Sequence, residues 1–323
     1  MKRTKYKLGI LMDPISAIDP KKDSSLAMLV EAAKRDYEIY YMEQKDLKLI
    51  DGCATAQATI IEIFDDQKKW YESKSNVSVD LKELNIILMR KDPPFDMEYI
   101  YTTYVLDKAE EDGVLIVNKP QSLRDMNEKV YTAWFPECTP STLISRSMAE
   151  IKLFLRQHKK IVVKPLDGMG GKSIFVVDEN DGNANVIIET LTDYGACSAM
   201  AQVFIPEIKD GDKRILLIDG KPVPYALARI PSKDDNRGNL VMGAVGEGRD
   251  LTERDKLICS KISPALKKKG ILFCGIDVIG NYLTEINSTS PTGIKELDSM
   301  YNLNIASDLF DVLEQKILSL IHI

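Results

Sequence analysis

Histidine is almost missing from this chain of 323 residues, which has only His158 and His322. A histidine triad or a histidine-built metal cluster is not expected, because each of the two lies in or beside a helical pattern and His322 is the penultimate residue. Any proton handling falls to carboxylates, lysine, water or the substrate itself. Cysteine is sparse and odd in number: Cys53, Cys138, Cys197, Cys259 and Cys274 are scattered, with no C-x-x-C pair. Such spacing suggests neither a zinc site nor a disulfide framework. All five are expected as small buried apolar residues in a reducing cytoplasm. Long apolar runs are missing as well, and no segment approaches the roughly 20 residues that cross a bilayer. The basic start, Met1 to Lys7, precedes too short an apolar stretch for a secretion signal. Positive charge is not in excess, and a net charge of −6 argues against nucleic acid and anionic membrane as partners.

What is present is an ordinary globular composition, 44% hydrophobic and 28% charged, with length for two or three domains. The densest local signal is Lys164-Pro165-Leu166-Asp167-Gly168-Met169-Gly170-Gly171-Lys172-Ser173. Apolar β-branched runs flank it at 161–163 and 174–177, so it reads as a glycine-rich turn between two strands. Glycines let the backbone take positive φ and let a bulky anion reach the peptide N–H groups. Lys164 adds a cation on the incoming arm. A P-loop is excluded twice. Leu166 stands where G-x-x-x-x-G-K-[ST] needs glycine, and a strand follows instead of a helix. An ordinary hairpin needs fewer glycines. The favoured reading is a flap over nucleotide phosphates.

Further strands are expected at 8–12, 59–61, 86–89 and 114–117, with helices after Asp23-Ser24 and over 97–111. Their alternation indicates a parallel α/β sheet, in which ligands sit beyond the carboxyl ends of strands. Arg90 leaves one such end in Arg90-Lys91-Asp92-Pro93-Pro94-Phe95. It is either a bidentate ligand for a substrate carboxylate or a surface arginine. A domain boundary is placed near residue 122, where Asn118-Lys119-Pro120 breaks the sheet. Ser122 or Asp125 is expected to cap a helix that carries Lys129. Helices follow at 148–157 and 186–191, then a strand at 198–205 stopping at Pro206. Arg214 and Arg229 fall on paired antiparallel strands joined at Asp219-Gly220. The polar, glycine-rich stretch 231–248 reads as a long loop. Helices over 252–268 and 305–320 enclose the last signal.

That signal is an acidic hairpin. Glu285 and Asn287 are two apart and share a face. Asp277 joins that face if the loop is three residues long, and takes the opposite face if it is two. Two carboxylates and an amide form a hard-oxygen set suited to Mg²⁺.

Taken together, the motifs resemble those of the ATP-grasp superfamily, and within it the bacterial glutathione synthetases. The stretches that carry the resemblance are RKDPPFD at 90–96, NKPQSLRDMNEK at 118–129, KPLDGMGGKSIF at 164–175, DGDKRILLIDG at 210–220, PVPYALARIP at 222–231, Arg237-Gly238-Asn239 and TEINSTSP at 284–291. Their order and spacing cover nearly the whole chain. The fold implied is mixed α/β. An N-terminal parallel α/β domain (1–122) is followed by a central subdomain with the flap (123–204). A C-terminal subdomain (205–323) carries the hairpin and the 231–248 lid, and the two subdomains clamp ATP.

The resemblance further implies that Lys129 and Lys164 contact ATP phosphates and that Gly168, Gly170 and Gly171 form the flap. Gln202, Val203, Phe204 and Ile205 would be the adenine hinge, with Asp212 near the ribose. Asp277, Glu285 and Asn287 would hold Mg²⁺ or Mn²⁺. Arg214, Arg229 and Arg237 would face the phosphoryl group and substrate carboxylates, and Ser290 would help hold the peptide. The activity implied is ligation of γ-glutamylcysteine to glycine by a cytoplasmic homotetramer. The alternatives are a related carboxylate–amine ligase or a non-catalytic ATP-binding module. The chain departs from the family pattern at Lys172, where a small residue is expected, and at the charged Lys233-Asp234-Asp235.

Overall fold

A computed structural model describes residues 5–231 and 245–321. Three sheets organise it. The first holds β1 (Lys7–Met12), β2 (Glu38–Met42), β3 (Leu47–Ile50), β4 (Cys53–Ile63), β5 (Tyr71–Asp80), β6 (Ile86–Arg90) and β7 (Leu115–Val117). Its core runs β2-β1-β6-β7 and is parallel. Beyond β2 it is not: β4 pairs antiparallel with β2, β3 and β5. The expected parallel sheet is thus present as this core but extended into a mixed one, and the segment 59–61 belongs to a long antiparallel ribbon. Strands buried on both faces, such as Ile86–Arg90, read as continuous apolar runs. β5 is mostly exposed and polar, so it carries no such run.

Helices α1 (Ser24–Lys34), α2 (Met97–Glu111) and α3 (Pro120–Asp125) serve this sheet. Asp23 caps α1, its carboxylate accepting the Leu26 N–H at 2.6 Å. α3 starts at Pro120, so Ser122 and Asp125 lie inside it rather than capping it. Lys129 follows the helix, at the start of a 3-10 turn.

The second sheet is antiparallel and ordered β10-β9-β11-β8, from β8 (Thr142–Ser145), β9 (Lys160–Pro165), β10 (Phe175–Asp178) and β11 (Ala199–Val203). α4 (Met148–His158) and α5 (Ala184–Thr192) cover one face. Ile161, Val163 and Val177 point to them, while Val162, Lys164 and Val176 point to a cavity, the period-two alternation of a half-buried sheet.

The third sheet, β14-β13-β12-β15-β16, is also antiparallel. It consists of β12 (Asp212–Ile218), β13 (Lys221–Ile230), β14 (Val245–Asp250), β15 (Phe273–Ile279) and β16 (Tyr282–Asn287). α6 (Glu253–Lys268) packs on one face. α7 (Ile294–Tyr301) and α8 (Ile305–Ile321) share one core with α1, β1 and residues Leu216 and Leu227 of this sheet. The first and third sheets are therefore joined by packed side chains. Among the cysteines, Cys138, Cys259 and Cys274 are buried, but Cys53 and Cys197 are exposed, against expectation. Among the described residues no helix is long and apolar enough to cross a membrane.

Candidate active site

A cavity of about 650 Å³ lies between the second and third sheets. One wall is Lys164 of β9 with Gly168, Gly170, Gly171 and Lys172 of the turn after it. Gly170 and Gly171 take φ of 66° and 74°, a region that side chains rarely adopt. The opposite wall is Asp212, Arg214, Arg229, Asp277, Glu285 and Asn287.

The second wall is built by register. Arg214 lies opposite Asp277, and Asp277 opposite Glu285. Gly280-Asn281 is a two-residue turn, which alone would send Asp277 to the far face. A register shift between Asp277 and Val278 adds a bulge at Thr284, whose hydroxyl donates to the Asp277 carbonyl at 3.1 Å. The bulge returns Glu285 and Asn287 to the face of Asp277.

Asp277 is the centre of the charge network. Arg214 grips it with Nε–Oδ1 at 2.5 Å and Nη2–Oδ2 at 3.0 Å. Arg229 Nη2 reaches Asp277 Oδ2 at 2.9 Å and Asp212 Oδ2 at 2.5 Å. Asn287 Nδ2 donates to Asp277 Oδ2 at 3.2 Å. Burial alone would raise the Asp277 carboxyl, but Arg214 and Arg229 outweigh it and hold it well below the usual range. Asp212 goes the other way: burial, then the charges of Asp277 and Glu285, raise it against the pull of Arg229. Its Oδ1 is buried with no hydrogen-bond partner among the described residues.

Lys164 is 5% exposed and is held below its usual pKa by burial and by Lys129, against Glu285. Lys129 donates to the Gly168 carbonyl at 2.5 Å and lies 3.8 Å from Glu285. At the end of β11, Gln202 to Ile205 also line the cavity. The Val203 and Phe204 N–H groups already donate to Ser141 and Lys160 carbonyls, so those two amides are not available to a ligand.

The two halves of this arrangement match two family models. One described as "Prokaryotic glutathione synthetase, ATP-grasp domain" covers residues 128–302, and one described as "Prokaryotic glutathione synthetase, N-terminal domain" covers residues 6–124. The chain belongs to the prokaryotic glutathione synthetase family. It is 57% identical over 311 residues to the glutathione synthetase of Vibrio parahaemolyticus, covering 96% of this chain and 98% of the relative. For that of Escherichia coli O127:H6 the identity is 55%, with the same coverage. Among solved structures, the D-cycloserine synthetase DcsG superposes with a TM-score of 0.66 at 13% identity, over 95% of this chain and 99% of that one. The ATP-grasp ligase PsnB, complexed with minimal precursor, Mg and ADP, gives 0.62 at 14%, over 96% and 98%. These two show the fold alone, which is ATP-grasp.

In this glutathione synthetase family member most residues expected at the site line the one cavity, Ser290 included. Arg90 does not. It is 5% exposed, so it is not a surface arginine, and it is not among the residues that line the cavity. Its Nε donates to Ser25 Oγ at 3.0 Å and its Nη2 to the Pro291 carbonyl at 2.9 Å. Arg237 and most of the 231–248 lid lie outside the described residues. Sequence reasoning overlooked Glu128, which stands beside Lys129 in a stretch read as a helix. It also overlooked Lys22, Asp23 and Glu296, which line the far end of the cavity. Only the N-cap signal at Asp23 pointed toward any of these.

Proposed function

We propose that this chain joins γ-glutamylcysteine to glycine at the expense of ATP, releasing glutathione, ADP and phosphate through an acylphosphate. The observation that carries this is the shared cavity. A lysine-bearing glycine turn faces a carboxylate hairpin, in a chain more than half identical to glutathione synthetases along nearly its whole length. The division into units 1–122, 123–204 and 205–323 belongs to the same proposal, as do a cytoplasmic location and a homotetramer.

In the first step a cysteinyl carboxylate oxygen of the dipeptide attacks the γ-phosphorus, and the bond to the β-phosphate oxygen breaks with its electrons going to ADP. In the second, the neutral amine of glycine attacks the acyl carbon. The C–O bond to phosphate breaks and the departing phosphate takes the amine proton. Neither step needs a covalent side chain, since phosphoryl transfer depends on positioning and charge neutralisation. Lys129, Lys164 and the turn amides hold the phosphates. Arg214 and Arg229 face the charge that develops on the transferring group.

The cavity's own charges fit a divalent ion. Among the described residues eight carboxylates and six cationic side chains line it, so a polyphosphate entering alone would meet a surplus of negative charge. Glu285, Asn287 and Asp277 are oxygen donors suited to Mg²⁺ or Mn²⁺, and Asp212 Oδ1, which has no partner among the described residues, can accept from a ribose hydroxyl or a metal-bound water. When bound, such an ion would neutralise phosphate oxygens.

The test is phosphate release from ATP with γ-glutamylcysteine and glycine, with the product mass identified. Tripeptide formation is expected. ATP binding without phosphate release for any amine in a panel would reject the ligase reading, and a preferred amine other than glycine would reassign the acceptor.

A further inference from the structure

The loop 288–293 joins β16 to α7, and its residues 289–292 line the cavity between the phosphate end and the far end at Asp23 and Glu296. The carboxylate to be phosphorylated must meet the γ-phosphate there. Two charged side chains hold this loop. Glu128 Oε1 accepts the Ser288 N–H at 2.9 Å, the Thr289 N–H at 3.0 Å and the Thr289 hydroxyl at 2.8 Å. Its carbonyl accepts the Ile286 N–H at 2.8 Å. Arg90, which does not line the cavity, donates to the Pro291 carbonyl, and Ser290 Oγ donates to the Arg90 carbonyl at 3.2 Å.

Glu128 also belongs to a segment tied to the other wall. Asn127 Nδ2 donates to the Leu166 carbonyl at 2.9 Å and Lys129 to that of Gly168. Three consecutive residues thus bond both walls of the cavity. A shielded carboxylate is costly to keep, and among the described residues Glu128 has no ion-pair partner, Lys129 reaching Gly168 and Glu285 instead. Its charge goes into hydrogen bonds to the loop, which a charged acceptor strengthens about twofold.

We propose that Glu128 is a positioning residue for the ligation: through the Ser288 and Thr289 amides it sets where the loop presents the acceptor carboxylate to the γ-phosphate. The inference rests on the ligase reading above. It is tested in the full chain with Glu128→Met, which keeps bulk and removes the acceptor, and Glu128→Gln, which keeps an oxygen for the amides. Met is expected to lower kcat/KM for γ-glutamylcysteine about 100-fold, with the Kd for ATP changed less than about threefold; Gln recovers to within about tenfold of wild type. Amide exchange at Ser288 and Thr289 is expected to be about tenfold faster in Gln than in wild type. A Met variant within twofold of wild type, parallel losses in dipeptide and ATP parameters, or a Gln variant no better than Met would each overturn the proposal. If Met fails to fold, Gln decides, and wild-type values for both its kinetics and its amide exchange would overturn it. If the wild-type chain lacks ligase turnover, the ligase reading fails, while amide exchange still reports whether Glu128 anchors the loop.

Discussion

Arg214 reaches Asp277 across a position where no side chain fits. A Cβ added to Gly275 would stand 2.6 Å from Arg214 Cδ and 3.1 Å from its Nε. Gly275→Ala is therefore expected to push the guanidinium off Asp277 and weaken a pair whose outright breakage costs about 3–5 kcal/mol. A fall in kcat of at least about tenfold, together with a lower Tm, would be seen by steady-state kinetics and thermal melting; an alanine variant with wild-type kinetics would refute the packing argument. Glu285 is a different case. Its side chain is 21% exposed and 3.8 Å from Lys129, so Gln is expected to leave the fold and circular dichroism intact. Turnover in Mg²⁺ should nonetheless drop about 10²–10³-fold; near-wild-type turnover would remove Glu285 from the metal set. Most residues of this site were legible as motifs because they are clustered in sequence beside glycines or on alternating strands. The loop contacts of Arg90 and Glu128 were not. Their partners lie 201 and 160 residues away, and contacts at that separation leave no periodic trace.

At the scale of elements, α1 and the carboxylate hairpin show both sides of this. The helix start is local chemistry, and Asp23 caps it as its position before Ser24-Ser25 suggests. The same carboxylate lines the cavity, and burial raises its pKa against the Leu26 N–H bond and Arg90. A raised carboxyl means that the folded chain binds the proton more tightly than the unfolded one. Its charged form then costs stability at neutral pH, and the cost fades as pH falls through the ordinary carboxylate range. Asp23→Asn keeps a good cap and removes the charge, so its Tm should exceed wild type at about pH 7 and converge on it near pH 4. Asp23→Ala loses the cap and about 1 kcal/mol. Melting curves across that pH range check both, and an Asn variant less stable than wild type at pH 7 would contradict the sign. The hairpin face, by contrast, could not be derived from the turn alone, because a bulge reverses what a two-residue loop dictates. β5 and α7 escaped for related reasons. One is an exposed strand with few apolar residues, and the other is an eight-residue helix whose buried positions are Ile294 and Leu297.

The whole molecule divides by its cores rather than by its sheets. The first and third sheets share apolar packing through α1, α7 and α8, whereas among the described residues the core of the second sheet draws only on those between 143 and 203. Near the glycine turn, the second sheet is tied to the third by polar bonds through residues 127–129, and those are weaker than a shared core. The glycine wall of the cavity is thus expected to ride on a unit that opens or melts by itself. Ile188 is fully buried within that unit, and Ile188→Ala should cost it about 2–5 kcal/mol. Calorimetry is then expected to split into two transitions, with amide exchange assigning the lower one to the second sheet and its two helices. A nucleotide bonded to both walls stabilises the weaker one by mass action, about 2.7 kcal/mol at 100 times its Kd. Mg·ADP should therefore raise the lower transition and merge it with the upper. If Ile188→Ala instead lowered a single transition for the entire chain, the two cores would be one cooperative unit and the glycine wall would have no independent motion to contribute to closure.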